Sequence, residues 1–205
     1  PRESRARFHT PLPDEKRADA RFYKPAEDSP EIKSLHGRRE ARGGSLPERP
    51  IAAEPVEVPD LSAFQVLLKD SGEREMSTTM AFVRALSIIA RDKGLASRLV
   101  PIVPDEARTF GMEGLFRQLG IYAPQGQLYE PQDADQLMYY REDQKGQILQ
   151  EGINEAGAMS SWIAAATAYA NHGVEMIPFY AYYSMFGFQR VGDLAWAAGD
   201  MQAKG

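Results

Sequence analysis

Residues 151–155 read Glu151-Gly152-Ile153-Asn154-Glu155 and open an apolar stretch that runs from Ala156 to Asn171. Two carboxylates four residues apart share one face of a helix. The run after them, with Ala158, Met159, Trp162, Ile163, Ala165 and Ala168, carries almost no charge. A helix that is apolar nearly all round is a buried helix. Carboxylates at the mouth of such a helix are costly unless something pairs with them. On spacing alone, the plainer reading is that Glu151 and Glu155 cap the helix and complement its dipole.

Outward from this stretch, apolar runs alternate with helical patterns. Upstream, Ile148-Leu149 is expected to form a short strand that delivers Glu151 and Glu155 to a sheet edge. Arg98-Leu-Val-Pro-Ile-Val-Pro104 is rich in β-branched residues and reads as a buried parallel strand. Asp105 and Glu106 stand at its carboxyl end, where open α/β sheets bind ligands. Asp is also a favoured helix cap, so that reading of Asp105 stays open. Downstream, Glu175 to Tyr183 is the third expected strand, with Phe179, Ala181 and Tyr183 on one face and Tyr180 and Tyr182 on the other. Pro178 is awkward for a central strand.

The helical patterns are Ser77–Ala90, capped by Ser77 or Thr78 with Met80, Val83 and Ile88 facing inward, and Met185–Gly199, with Phe188, Val191, Leu194, Ala195 and Ala198 at core spacing. Lys93-Gly94 is expected to end the first of them. Leu61–Leu68 suits a short helix capped by Asp60 or Ser62, and Thr109–Leu119 a short helix or turn. Residues 121–140 read as a loop that holds a short strand or helix, helical in part over 133–140. The fold class expected is α/β, a parallel sheet flanked by helices, over residues 61–205.

Residues 1–60 differ in kind. They hold nine of the 14 prolines, with twelve basic and twelve acidic side chains. That composition buries too little surface to fold alone, so an extended connection or inter-domain strap is expected. Arg38-Arg39 has no aromatic platform beside it to suggest nucleic acid. The chain as a whole has 205 residues, 43% hydrophobic and 26% charged, with net charge −5 and no cysteine. Such a balance excludes a global field for nucleic acid or anionic membrane, disulfides and thiolate metal sites, and it fits the cytoplasm. No apolar run reaches the ~20 residues of a membrane span. The ends at Pro1 and Gly205 suggest an internal fragment.

Three strings carry a resemblance. Tyr140-Arg-Glu-Asp-Gln-Lys-Gly-Gln-Ile-Leu-Gln-Glu-Gly-Ile-Asn-Glu155, Ile177-Pro-Phe-Tyr-Ala-Tyr-Tyr-Ser-Met-Phe-Gly-Phe-Gln-Arg190 and Asp105-Glu-Ala-Arg-Thr-Phe-Gly-Met-Glu-Gly114 are long and of low degeneracy. They resemble the thiamine-diphosphate decarboxylating components of 2-oxo acid dehydrogenase complexes, closest to the homodimeric bacterial pyruvate dehydrogenase type. The likeness is close from Ser77 to Gly205 and loose before it.

The resemblance implies a truncated transketolase-like pyrimidine-binding domain. It implies that Glu155 hydrogen-bonds a ring nitrogen of the cofactor's aminopyrimidine, tuning the cofactor while leaving the organic chemistry to it. A dry pocket would make a carboxyl group a competent donor there. Phe186 takes the stacking position, Ile153 presses beneath the cofactor, and Tyr183 lines the channel, joined more softly by Asp105 and Glu106. His172 is expected at a helix end, without a catalytic role. Magnesium and the diphosphate belong to another domain with a Gly-Asp-Gly signature, so no metal ligand is expected in this chain. The implied partners are a second copy of the subunit, pyruvate, and the lipoyl-bearing dihydrolipoamide acetyltransferase, in a step linked to glycolysis. Two other readings stay in play: a transketolase-like enzyme for another 2-oxo acid or a sugar, and a non-catalytic α/β interaction module.

Overall fold

A computed structural model describes residues 2–9, 13, 22, 24–44, 53–104, 107–132 and 139–205, without the side chains of Arg2, Ser4, Arg5, Ser184 and Phe186. The chain divides into two units, residues 1–49 and 50–205.

The first unit contains helices α1 (Arg2–Phe8) and α2 (Pro30–Glu40). The expectation of extended chain therefore gives way locally. In α2, Ser29 caps the start by accepting the N–H of Ile32, proline stands in the first turn, and Arg38 and Arg39 sit in the last turn. These are helix-start and dipole-complementing residues in the right order. Nothing in α2 is buried, so capping and propensity hold it and no core does.

In the second unit, Asp60 accepts the N–H of Ser62 at 2.8 Å and starts a 3₁₀ turn over Leu61–Phe64 that runs on into α3 (Gln65–Leu68). Helix α4 (Thr78–Ile89) is capped by Ser77, whose hydroxyl accepts the N–H of Met80 at 3.1 Å. Its buried residues are Val83 and Leu86. Met80, expected inward, is exposed, with its thioether against Gly111. Ile88 is only partly buried, because the sheet lies under the 83–86 face. The helix also stops before Gly94: Asp92 Oδ1 accepts the N–H groups of Gly94 and Leu95 at 2.8 and 3.0 Å, turning the chain early.

Strand β1 (Leu99–Val103) is the middle of a three-stranded parallel sheet in the order β4-β1-β5, with β4 at Leu149–Gln150 and β5 at Ile177–Tyr180. Between β1 and β4 come α5 (Glu113–Leu119) and a small parallel pair, β2 (Ile121–Tyr122) with β3 (Glu142–Asp143). The residues 133–138 expected in part as helix lie outside the described residues. Arg98 Nη1 donates to the Glu175 carbonyl at 2.9 Å and ties the entrances of β1 and β5 together.

Two prolines sit in this sheet without breaking it. On a strand, alternate residues aim their N–H at opposite neighbours. Ala181 N–H bonds to Ile102 O at 3.0 Å, so Ala181 and Phe179 face β1 while Pro178 faces the outer edge. A missing N–H costs nothing there. Val103 O accepts Glu151 N–H on the opposite side, so Pro101 points toward β4, whose register begins only at Ile102 opposite Leu149. The concern over Pro178 is thus answered by β5 lying at an edge of the sheet.

The alternation read for β5 feeds two cores. Phe179 and Ala181 pack on the larger core, built from Val83, Leu86, Leu99, Val103, Met112, Leu115, Phe116, Ile121 and Ile148. Tyr180 packs on the smaller one, from Met159, Val191 and Ala198. Each fully buried side chain of this kind contributes about 1.5–3 kcal/mol. The smaller core joins α6 (Glu155–Ala166) to α8 (Ser184–Asp200). The helix expected from Ala156 to Asn171 is interrupted. Thr167 turns its hydroxyl back to the Ile163 carbonyl at 2.8 Å, and a separate α7 (Ala168–His172) ends at Gly173, whose φ of 66° makes it a left-handed cap. Among the described residues, no helix is long and apolar enough to cross a membrane.

Candidate functional site

The site forms where β4 ends and α6 begins, at the carboxyl edge of the parallel sheet. Asn154 caps α6 by accepting the N–H of Gly157 at 3.1 Å, which leaves Glu155 as the first helical residue. Glu151 is not on this helix. Its N–H continues the β4 ladder to Val103 O at 3.0 Å, and its Oε1 accepts the Ser161 hydroxyl at 2.5 Å. The two carboxylates therefore do not share a helix face. The four-residue spacing misled because Gly152, at φ 71°, takes the backbone out of helical conformation between them.

Glu155 is 7% exposed, the one buried charged residue among those described. Its Oε1 accepts from Arg190 Nη1 at 2.6 Å, across from α8. Sequence reasoning saw that a buried acid needs a partner and did not find which one. The signal was there: Arg190 closes the Ile177–Arg190 string, one helical turn beyond Phe186. Tyr180, the last residue of β5, adds a second unforeseen group. Burial, then the negative charge of Glu155, pushes its phenol up from 10.0 to about 12. Its hydroxyl oxygen is buried and takes no hydrogen bond among the described residues.

Around this centre, Ile153 projects from the loop before α6 with 78% of its surface exposed. Tyr183 stands at the entrance to α8, partly exposed, with its ring 5.6 Å from that of Phe110. Phe186 lies in the first turn of α8, and its side chain is outside the described residues. Asp105 and Glu106 are outside them too. His172 ends α7 and is exposed, as a helix-end residue should be. Among the described residues, no group of three or more His, Asp or Glu could hold a metal ion.

A flat, polar heterocycle fits this donor set. It would find a buried carboxylate to meet a ring nitrogen, the exposed Ile153 in the loop before α6, and the Tyr183 ring at the entrance to α8. The orphaned Tyr180 hydroxyl marks the neighbourhood as one where a polar partner is wanted.

Residues 56–205 match the family model described as the pyruvate dehydrogenase E1 component middle domain. The chain is 61% identical over 204 residues to the "Pyruvate dehydrogenase E1 component" of Pseudomonas aeruginosa, covering 100% of this chain and 23% of that protein. It is 57% identical over 205 residues to the protein of that name from Cupriavidus necator, and 56% over 205 residues to that from Escherichia coli K12, again with 100% and 23% coverage. The chain thus spans about a quarter of the length of these relatives. The resemblance drawn from the three strings is borne out, and the chain belongs to the pyruvate dehydrogenase E1 component family, in which its residues 56–205 correspond to the middle domain.

Proposed function

We propose that this chain is the pyrimidine-binding part of a thiamine-diphosphate site. In this reading the whole protein carries out the oxidative decarboxylation of pyruvate and the reductive acetylation of a lipoyl group on a dihydrolipoamide acetyltransferase. The observation that carries the reading is the buried Glu155 at the carboxyl end of a parallel sheet, in a chain 61% identical to a protein named pyruvate dehydrogenase E1 component. When bound, thiamine diphosphate supplies the carbanion chemistry by which a 2-oxo acid loses carbon dioxide.

What this chain contributes is positioning and a proton site. Glu155 meets a pyrimidine ring nitrogen with its carboxyl group and holds the hydrogen bond that sets the ring's protonation. Burial strengthens that bond, because water does not compete for it. Arg190 keeps the carboxylate from being stranded in a dry place. Ile153 braces the cofactor, Phe186 stacks on the pyrimidine, and Tyr183, Asp105 and Glu106 line the channel by which substrate reaches it. Magnesium and the diphosphate fall to another domain, contributed by a second copy of the subunit in a cytoplasmic dimer.

The test uses the full-length protein and its Glu155→Ala form. Thiamine-diphosphate-dependent decarboxylation of pyruvate is followed with an artificial electron acceptor. The alanine form is expected to lose at least about 100-fold in turnover, the scale for removing a positioned proton-transfer group. Undiminished turnover would remove Glu155 from the mechanism. A parent protein inert on pyruvate but active on a longer 2-oxo acid would move the substrate assignment.

A further inference from the structure

Glu151 stands four residues before Glu155 and takes no part in the Glu155–Arg190 pair. It is tied in two directions. Its backbone N–H bonds to Val103 O at 3.0 Å, which fixes it to β1. Its side-chain Oε1 accepts the Ser161 hydroxyl at 2.5 Å, which fixes it to α6. Ser161 lies more than one turn beyond Glu155 along that helix. The bond therefore reaches across the whole turn that joins strand to helix.

That turn is Gly152, Ile153 and Asn154. Gly152 has a φ of 71°, and a Cβ placed there would meet nothing within 4 Å. A glycine in open space crosses readily between backbone conformations that other residues avoid. Ile153, with 78% of its surface exposed, draws little support from packing. Asn154 donates its N–H to Gly152 O at 2.8 Å and accepts the N–H of Gly157 at 3.1 Å. The first of these bonds spans Ile153 alone, and the second lies on the helix side. Of the bonds named here, the one between Glu151 and Ser161 spans the glycine and joins strand to helix. A hydrogen bond to a carboxylate is roughly twice as strong as a neutral one.

We propose that Glu151 and Ser161 are positioning residues: their bond sets the angle between β4 and α6 and so holds Ile153 in place against the pyrimidine whose ring nitrogen Glu155 meets. The inference rests on the reading that Ile153 braces the bound cofactor. The two acids divide the work of the turn. Glu155 holds the start of α6 to α8 through Arg190, and Glu151 holds the end of β4 to α6. Without the second tie, the glycine lets Ile153 swing while Glu155 stays where it is. A displacement of about 1 Å at a positioned group can cost on the order of 100-fold in rate.

The experiment is a double-mutant cycle on turnover in the full-length protein, with Ser161→Ala, Ile153→Ala and the pair. Turnover of pyruvate is measured at saturating thiamine diphosphate, magnesium and pyruvate. Ile153→Ala is expected to lose at least about 10-fold in kcat, and Ser161→Ala about 5–10-fold, as partial losses of positioning. In the pair, the serine change is expected to add less than about 2-fold to the loss from Ile153→Ala, because it acts through that side chain. A merely structural bond would cost the same factor in both backgrounds, so losses that multiply would overturn the inference. Wild-type kcat in Ser161→Ala, beside a loss in Ile153→Ala, would also overturn it and leave the bracing role of Ile153 standing. Wild-type kcat in Ile153→Ala would overturn both. If Ser161→Ala fails to fold, Glu151→Gln takes its place in the cycle. It keeps the shape of the side chain and removes the charge that strengthens the bond, and the same outcomes decide.

Discussion

At the residue scale, the Glu155–Arg190 pair is lopsided. The carboxylate is buried and the guanidinium side chain is about half exposed, at 9% and 53%. Removing the exposed partner strands the buried one, which is the expensive direction. Arg190→Ala is expected to lower the unfolding free energy by about 1–2 kcal/mol, less than for a fully buried pair because water can reach the vacated side. Arg190→Lys should recover part of it, and urea denaturation of the cofactor-free protein reads both. Tyr180 makes a pH prediction. Its folded-state value is raised to about 12 from 10.0, so between those values the native state holds a proton that the unfolded chain has released. Stability from this group is complete below about pH 10 and is lost as pH rises toward 12. Tyr140, where burial and Glu142 also push the phenol up, acts in the same direction. Tyr180→Phe should shallow the alkaline loss of stability, and Tyr180→Phe with Tyr140→Phe should shallow it further. An unchanged alkaline slope in a urea series across this window would contradict the assignment.

At the scale of elements, one tight backbone approach and two local turns set what a substitution costs. The turn after β3 passes over β2 at Gly146, where a Cβ would fall 2.3 Å from the Ile121 carbonyl group. Backbone cannot yield as a side-chain tip can, so Gly146→Ala is expected to cost about 2–4 kcal/mol, the range of severe overpacking or more. Gly152→Ala meets nothing within 4 Å and should cost about 1 kcal/mol, through its positive φ alone. Chemical denaturation of the two variants side by side checks the contrast. The cap of α6 offers a gentler probe. Asn154→Ala removes the side-chain acceptor for Gly157 N–H, and a loss of about 1 kcal/mol is expected.

At the scale of the whole molecule, α8 presents two apolar faces. Val191 and Ala198 fill the small core, while Met185, Phe188 and Trp196 lie along a neighbouring stripe and are largely exposed, Trp196 at 73%. A helix core position was expected of Phe188, yet half of it faces outward. A patch of this kind promotes association in a domain studied alone. The isolated chain is expected to elute above its monomer mass at high concentration and to show no pyruvate turnover. Trp196→Lys should shift the elution toward monomer without lowering the melting temperature.

The α/β pattern, the three strands and the helices around them were legible in the sequence, because burial on a strand or helix imposes its own period on neighbouring residues. Glu155 was legible as an acid in need of a partner, because a carboxylate at the edge of an apolar run is costly to bury alone. Tertiary structure alone decided that Arg190 is that acid's partner, 35 residues away, and that Tyr180 shares its surroundings. It also decided that Glu151 stays on the strand side of the turn, bonded to Ser161. Periodicity reports which side a residue faces along its own element. Which residues meet across elements depends on how the sheet and helices pack, and no local spacing carries that information.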